Sequence, residues 1–203
     1  MSSSLPPALR YEVFALADVL SPDHPALAQR VTASMASFPC ERSAHIQDFA
    51  RSKVAGAERY GASRTYVLLV PDREFGVDVG AFFTVGLVNI SFENASKALK
   101  KKLTGSTTRD KAGAYSIAEL ARSDRYGCSE LPGSVILDEA KQVIARARRL
   151  VTGRFVVVDS QPHIFERLYR PAGFKQVDVA TPPIGMEEVD FVTSCCDARD
   201  WCE

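Results

Sequence analysis

The feature that most constrains this chain is a long amphipathic helix set between two β-rich runs. Residues 132–150 place Ile136, Ala140, Val143, Ala147 and Leu150 on one stripe at helical spacing. Pro132 suits the first turn, where the missing amide donor is not needed, and Gly153 stops the helix. Before it, residues 114–122 (AYSIAELAR) are ambiguous by pattern, yet their length and Tyr-Ser-Ile start allow a strand. After it, residues 155–158 (FVVV) are all β-favouring and read as a short buried strand. Strand, helix and strand together make a βαβ unit with a right-handed crossover.

The rest of the chain adds strands around that unit. Residues 11–20 (YEVFALADVL) read as a first strand. Ser21-Pro22 is a helix-start signal, with Leu27, Val31 and Met35 at helical spacing. A second helix is expected at 43–60, with Ile46, Phe49, Ala50 and Val54 on one face and Gly61 as its cap. Residues 64–70 (RTYVLLV) and 80–92 (GAFFTVGLVNISF) read as an antiparallel hairpin turned by Pro71, Asp72 and Arg73. A short lysine-rich helix and loop occupy 94–108. Residues 162–169 form a short helix ended by Pro171 and Gly173, and 174–179 and 189–193 are the last strands, around a Pro182-Pro183 loop. The fold class expected is α/β, an α+β sandwich. It is a mixed, mostly antiparallel twisted sheet of six to seven strands with helices on both faces. One domain at 10–195 is expected, with a disordered tail at 1–9 and a second tail at 196–203.

Composition narrows the function classes. Lys+Arg and Asp+Glu both number 25, so overall charge gives no general attraction to nucleic acid or membrane. No apolar run reaches the roughly 20 residues a bilayer span needs. The start lacks a signal-peptide pattern, so cytoplasm is the expected location. The cysteines (Cys40, Cys128, Cys195, Cys196 and Cys202) include no CxxC pair and make a poor zinc pattern with three scattered histidines. No metal is expected, and the last three read as free thiols at a loose terminus. Lys97, Lys100, Lys101, Lys102, Arg109 and Lys111 cluster, and Arg146, Arg148 and Arg149 add charge on the long helix. This is either a phosphate-binding surface or a solvated helix face, and no aromatic platforms are interleaved with it.

Three segments, in order, resemble the GNAT superfamily of N-acetyltransferases, closest in look to its toxin-type members. Residues 44–70 (AHIQDFARSKVAGAERYGASRTYVLLV) are similar to the toxin-type "DxFLRxxAxxxxxxGxSRTYV" entry at Asp48, Phe49, Gly61, Ser63, Arg64, Thr65 and Tyr66. Residues 115–140 resemble the fourth strand, pyrophosphate loop and following helix. Residues 155–174 (FVVVDSQPHIFERLYRPAGF) resemble the fifth strand and the "FYxxxGF" end, here Leu168 to Phe174. The resemblance covers about residues 10–195 and implies the GNAT fold.

It also implies acetyl-CoA as co-substrate, with no metal, and acetyl transfer to an amine by direct attack. In the family the fourth and fifth strands splay, and the pantetheine arm enters the gap. That places Leu120 and Arg122 at the cofactor through their backbone groups, with Gly127, Gly133 and Ser134 at the diphosphate, where a helix N-terminus suits an anion. The family signature there is Q/R-x-x-G-x-G/A. Only Gly133 matches it, and Glu130 puts a negative charge beside the expected phosphates. Tyr169 matches the tyrosine that protonates the departing thiolate; otherwise it packs at a helix end. Glu119 is the candidate base or water-holder, or else a structural carboxylate. Asp159 and His163 near the site mouth, and Arg64, are candidates for the acceptor side; Asp159 could equally cap the next helix and His163 be plain surface. Toxin-like relatives bring aminoacyl-tRNA as acceptor, a cognate antitoxin and a homodimer into consideration as partners. The broken signature keeps a second class open: a degenerate GNAT domain acting as a CoA-binding or protein-interaction module without catalysis.

Overall fold

The computed structural model describes residues 9–72, 76–91, 96–108, 111–177 and 190–201. The Pro182-Pro183 loop, Arg109, Cys202 and the first eight residues of the expected N-terminal tail lie outside them. The strands are β1 (Glu12–Ala15), β2 (Arg64–Asp72), β3 (Gly76–Ser91), β4 (Lys111–Arg122), β5 (Phe155–Ser160), β6 (Lys175–Gln176) and β7 (Val192–Asp197). They form one seven-stranded sheet in the order β1-β2-β3-β4-β5-β7-β6. Every pairing is antiparallel except β4 with β5, because the helix between those two returns the chain to the same end of the sheet. The expected mixed, mostly antiparallel sheet is present.

The helices are α1 (Leu16–Val19), α2 (Pro25–Ala36), α3 (Ala44–Asp48), α4 (Val54–Arg59), α5 (Lys97–Thr104), α6 (Gly133–Ala147) and α7 (Pro162–Ile164). Two π-helical turns, Phe49–Lys53 and Phe165–Tyr169, interrupt what the spacing reads as plain helices. The first strand is shorter than expected, since the run beyond Ala15 coils into α1 and buries Leu16 and Val19. Ser21 closes a local turn through Asp23, and α2 starts later, at Pro25. Gly61 behaves as expected. At φ 67° it lets its amide reach Glu58 O at 3.1 Å while Ala62 N reaches Ala57 O at 3.0 Å, the paired bonds of a Schellman stop.

Each face of the sheet carries its own core. Phe82 and Phe83 are consecutive and fully buried on opposite faces, as the two-residue period of a strand requires. Phe82 meets Phe38 edge-on at 5.1 Å and joins the layer of α1–α4. Phe83 stacks on Tyr66 at 5.2 Å in the layer built by α6 and the C-terminal elements. The buried stripe of α6 is Ile136, Leu137, Ala140, Val143 and Ile144. Pro132 is its N-cap, one residue earlier than expected. The stripe does not reach Leu150, which is 88% exposed: α6 ends at Ala147, and the Arg148 guanidinium donates to Gly153 O at 3.0 Å and to Ala198 O, turning the chain back. Gly153 is there because a Cβ would lie 2.5 Å from the Tyr115 ring.

The C-terminal end is less loose than the cysteine pattern suggests. Cys195 and Cys196 lie on β7, Cys196 buried, and Ala198 and Trp201 of the following 3₁₀ turn (Ala198–Trp201) join the α6 core. Leu137→Ala should cost about 3 kcal/mol of stability through a cavity under α6, read as a lower urea midpoint with an unchanged m-value.

Candidate active site

The parallel pairing of β4 and β5 is short. Only Ala114, Tyr115 and Ser116 pair, with Phe155, Val156 and Val157. Beyond that, β4 stays on β3 as far as Arg122 opposite Ala81, and β5 stays on β7 as far as Ser160 opposite Val192. The sheet therefore opens like a V, with residues 117–122 and 158–160 on its two inner edges. Each arm is held by its outer neighbour. The inner edges present backbone N–H and C=O groups, which favour an extended guest that can bond to them.

A bulge on β4 sets what faces the opening. Register with β3 slips between Phe83 and Val85, so Ala118 and Glu119 together oppose Thr84. The Glu119 amide donates to Thr84 Oγ1 at 2.9 Å. Tyr115 and Ile117 belong to the α6 core, but so does Leu120, while Ala121 joins the α1–α4 core. The alternation has shifted by one residue. Glu119 turns toward α3, where its Oε1 and His45 Nε2 share a hydrogen bond at 2.9 Å. Burial raises the Glu119 pKa; the bond and charge of His45, and the charge of Lys53, pull it back down. Lys53 lies in the first π turn and pairs with Asp48 at 2.6 Å.

Tyr169 ends the second π turn and is 4% exposed, its ring edge-on to Phe174 at 5.3 Å. Burial pushes its hydroxyl pKa well up, and the charge of Glu119 adds to that rise. Two residues fifty positions apart in sequence thus share one electrostatic environment. Single π turns recur at functional sites because they re-aim a side chain.

The loop after β4 is fastened at its first half. Ser123 N donates to Gly80 O at 2.9 Å and Asp124 N to Pro39 O at 3.0 Å. Asp124 accepts from Glu41 N at 2.7 Å and from Arg42 at 2.8 Å. Asp78 on β3 accepts from Arg125 at 2.8 Å, Tyr126 Oη at 3.0 Å and Ser34 Oγ at 2.5 Å. The second half is a tight turn closed on itself: Glu130 N and Leu131 N reach Gly127 O at 3.1 and 3.0 Å, and Gly127 N donates to Glu130 Oε2 at 2.6 Å. Arg122 crosses to Leu131 O at 3.1 Å, and its buried Nε has no hydrogen-bond partner among the described residues. Gly133 and exposed Ser134 begin α6, whose first amides no side chain caps. An added Cβ at Gly133 would rest 3.6 Å from Leu168, an ordinary contact.

The remaining expected site residues lie differently. Asp159 accepts from Thr193 Oγ1 across the β5–β7 pair and caps no helix; burial raises its pKa and that bond opposes the rise. His163 is exposed on α7. Arg64 is committed to Glu58 at 2.9 Å, and the other Glu58 oxygen takes the Thr65 amide. His45, Thr84 and Asp78 escaped the sequence reading. The one available signal for His45 was its place in the 44–70 segment, just after the helix cap Ser43, whose Oγ accepts Ile46 N at 3.3 Å. No His, Cys, Asp and Glu group able to hold a metal occurs among the described residues, and none of their helices is long and apolar enough to cross a membrane. An open, polar groove of about 500 Å³ lies on the outer side of α6, between Lys141, Arg146, Arg149 and Trp201; neither Glu119 nor Tyr169 lines it.

Solved structures of similar overall shape cover nearly the whole chain. A Tyr-to-Phe mutant of KacT matches with TM-score 0.69 at 15% identity, over 95% of this chain and 97% of that one. AtaT complexed with acetyl-methionyl-tRNAfMet matches with TM-score 0.65 at 15% identity, over 94% and 96%. A Tyr-to-Phe mutant of the AtaT toxin matches with TM-score 0.64 at 13% identity, over 98% and 97%. The chain has the GNAT fold. No protein-family model and no curated protein sequence matches it.

Within this GNAT fold, the Asp78 cluster is what ties the post-β4 loop to the body. Asp78→Ala should take the shared acceptor from Arg125, Tyr126 and Ser34, leaving Arg125 only its bonds to Ser37, and cost about 2–4 kcal/mol, read by urea denaturation and by faster amide exchange in residues 123–131.

Proposed function

We propose that this chain is an acetyl-CoA-dependent N-acetyltransferase that moves an acetyl group to a primary amine by direct attack in a ternary complex. What supports the proposal is the V between β4 and β5, with Glu119 on the β4 arm and its charge felt by the buried Tyr169, in a chain of GNAT fold. The inner edge of β4 around Leu120 and Arg122 would pair with the amides of the pantetheine arm. The uncapped α6 start at Gly133 and Ser134, with the Gly127 amide, would face the diphosphate. Arg122, whose guanidinium donates to Leu131 O at 3.1 Å, brings a positive charge to the loop before α6.

The chemistry then divides between two side chains. An amine attacks only when neutral, so a base must first take its proton. Glu119 in a buried setting is a stronger base than an ordinary carboxylate. Attack gives a tetrahedral carbon whose oxygen gains charge and is stabilised by a strand-edge N–H. Collapse expels the thiolate, and Tyr169, kept protonated by its raised pKa, returns a proton to sulfur. The sign of the pH dependence follows. With its pKa raised, Glu119 stays protonated to higher pH than an ordinary glutamate, so activity should appear above the usual carboxylate range and climb toward neutrality.

The finer reading is a toxin-type enzyme whose acceptor is the amino group of aminoacyl-tRNA, working in the cytoplasm with a cognate antitoxin as partner. What supports it is the shared fold with AtaT, which has been solved complexed with acetyl-methionyl-tRNAfMet, and bound to the C-terminus of its antitoxin and acetyl-CoA. A screen of charged tRNAs, polyamines and lysine peptides with acetyl-CoA tests it; acetylation of peptides or polyamines alone would overturn the tRNA version.

One observation favours a second reading, a GNAT domain that binds a partner without catalysis. The Glu130 carboxylate sits on the Gly127 amide, where the family would place phosphate oxygen. Calorimetry separates the two: no heat and no thermal shift with acetyl-CoA would favour the binding module. For the enzyme, Glu130→Ala should tighten acetyl-CoA about tenfold, since one charge-assisted bond no longer competes for that amide. Tyr169→Phe should lower kcat about 100-fold while the acetyl-CoA Kd stays near wild type; unchanged turnover would remove Tyr169 from the acid role.

A further inference from the structure

We infer that His45 is a positioning and proton-relay residue acting through Glu119, and that it carries the acceptor amine's proton from the cleft to solvent. The inference rests on the acyl-transfer reading of the same site. Its basis is a gradient of exposure along three groups. Tyr169 is 4% exposed, the Glu119 side chain 11% and the His45 side chain 38%. The 2.9 Å bond from His45 Nε2 to Glu119 Oε1 joins the middle of that gradient to its wet end.

A base this buried has a disposal problem. Once Glu119 has taken a proton it must release it before the next turnover, and its own route to water is narrow. The charged and titratable groups facing it are few and named: His45 from α3, Lys53 from the first π turn and Tyr169 from the second. Lys53 is already paired with Asp48 and carries no free acceptor lone pair when charged. Tyr169 is needed as the acid for sulfur. Among the charged and titratable groups of the described residues, His45 is the one that both touches Glu119 and reaches solvent. Asp48, on the same helix as His45, feels its charge and stands ready to balance it.

The proton balance closes on this route. The ammonium acceptor loses one proton to Glu119; the carboxyl then donates it to His45 Nε2, with the imidazole in its Nδ1–H tautomer, and the imidazolium releases its Nδ1 proton to water. The freed amine forms its bond to the acetyl carbon. The nitrogen's second proton leaves as the tetrahedral intermediate collapses, while Tyr169 supplies the proton that CoA sulfur keeps and is itself reprotonated by the one released. The net products are the acetamide, CoA-SH and one proton in solution.

The test uses the full chain, acetyl-CoA and the acceptor found in the amine screen, charged tRNA first. For His45→Ala, kcat should fall about 10- to 100-fold with the acetyl-CoA Kd unchanged. The acid limb of kcat/KM against pH should move to higher pH, because Glu119 loses the bond that lowers its pKa. Added imidazole should restore part of kcat, which a merely structural histidine would not allow. His45→Gln keeps the donor and the shape but takes no proton; it should lose turnover too, and covers the case in which the alanine variant folds poorly. Carboxyl ¹³C titration of Glu119 reads the coupling without turnover, and its midpoint should rise in His45→Ala. An acid limb that stays in place, a loss that imidazole leaves untouched, or an unmoved Glu119 titration each removes His45 from the path. A wild-type chain that acetylates no amine sinks the acyl-transfer reading and this inference together, whereas an active chain with an unaltered His45→Ala profile sinks the inference alone.

Discussion

The site depends on one place where backbone pairing stops. β4 and β5 bond for three residue pairs and then part, although both strands run on. Parallel strands side by side normally keep pairing, because an unpaired edge leaves donors and acceptors without partners. Here the outer neighbours β3 and β7 hold the arms apart, and the α6 crossover brings their common base together. The opening is thus a property of the sheet, independent of which side chains line it. A guest made of amides and an extended linker suits such an edge better than a compact one does.

The bulge at Ala118 and Glu119 determines what the opening contains. Without it, an unbroken two-residue alternation would put Glu119 on the same face as Ile117, buried under α6 against Leu131 and Ile136 with no polar group to meet. The extra residue turns the carboxylate to α3, where His45 receives it, and returns Leu120 to the α6 core. The same slip explains why residues 114–122 resist a period-based reading: they carry two half-patterns in opposite phase. The strand was legible only from its length and its place before a helix. The pairing of His45 with Glu119 was not legible, since nothing in local spacing links position 45 to position 119.

Other parts of the fold were legible for equally local reasons. Gly61 was readable because a Schellman stop needs positive φ, and the α6 stripe because burial follows the helical period. Leu150 misled because periodicity runs on past the point where Arg148 folds the chain back. The alternative of Asp159 as a helix cap failed for a similar reason, since its partner Thr193 comes from a strand far along the chain. The two π turns also have no spacing signal: each shifts the helical register by one residue over a single turn. They nevertheless set the azimuth of Lys53 and Tyr169, two of the three groups that act on Glu119 or feel its charge.

The post-β4 loop separates two roles that a glycine signature usually carries together. Rigidity comes from Asp78, which gathers three donors from the loop and α2, and from Asp124. Access for an anion comes from bare amides, and there the chain supplies its own carboxylate at Gly127. That contact lies within one turn, so it can break without disturbing the Asp78 anchor. An incoming diphosphate carries more charge than one carboxylate and gains both the Gly127 amide and the α6 dipole, whereas Glu130 returns to water at little penalty because it is exposed. In the proposed reading, the loss of the usual signature weakens the resting attraction for an anion while the turn and the uncapped start of α6 stay in place.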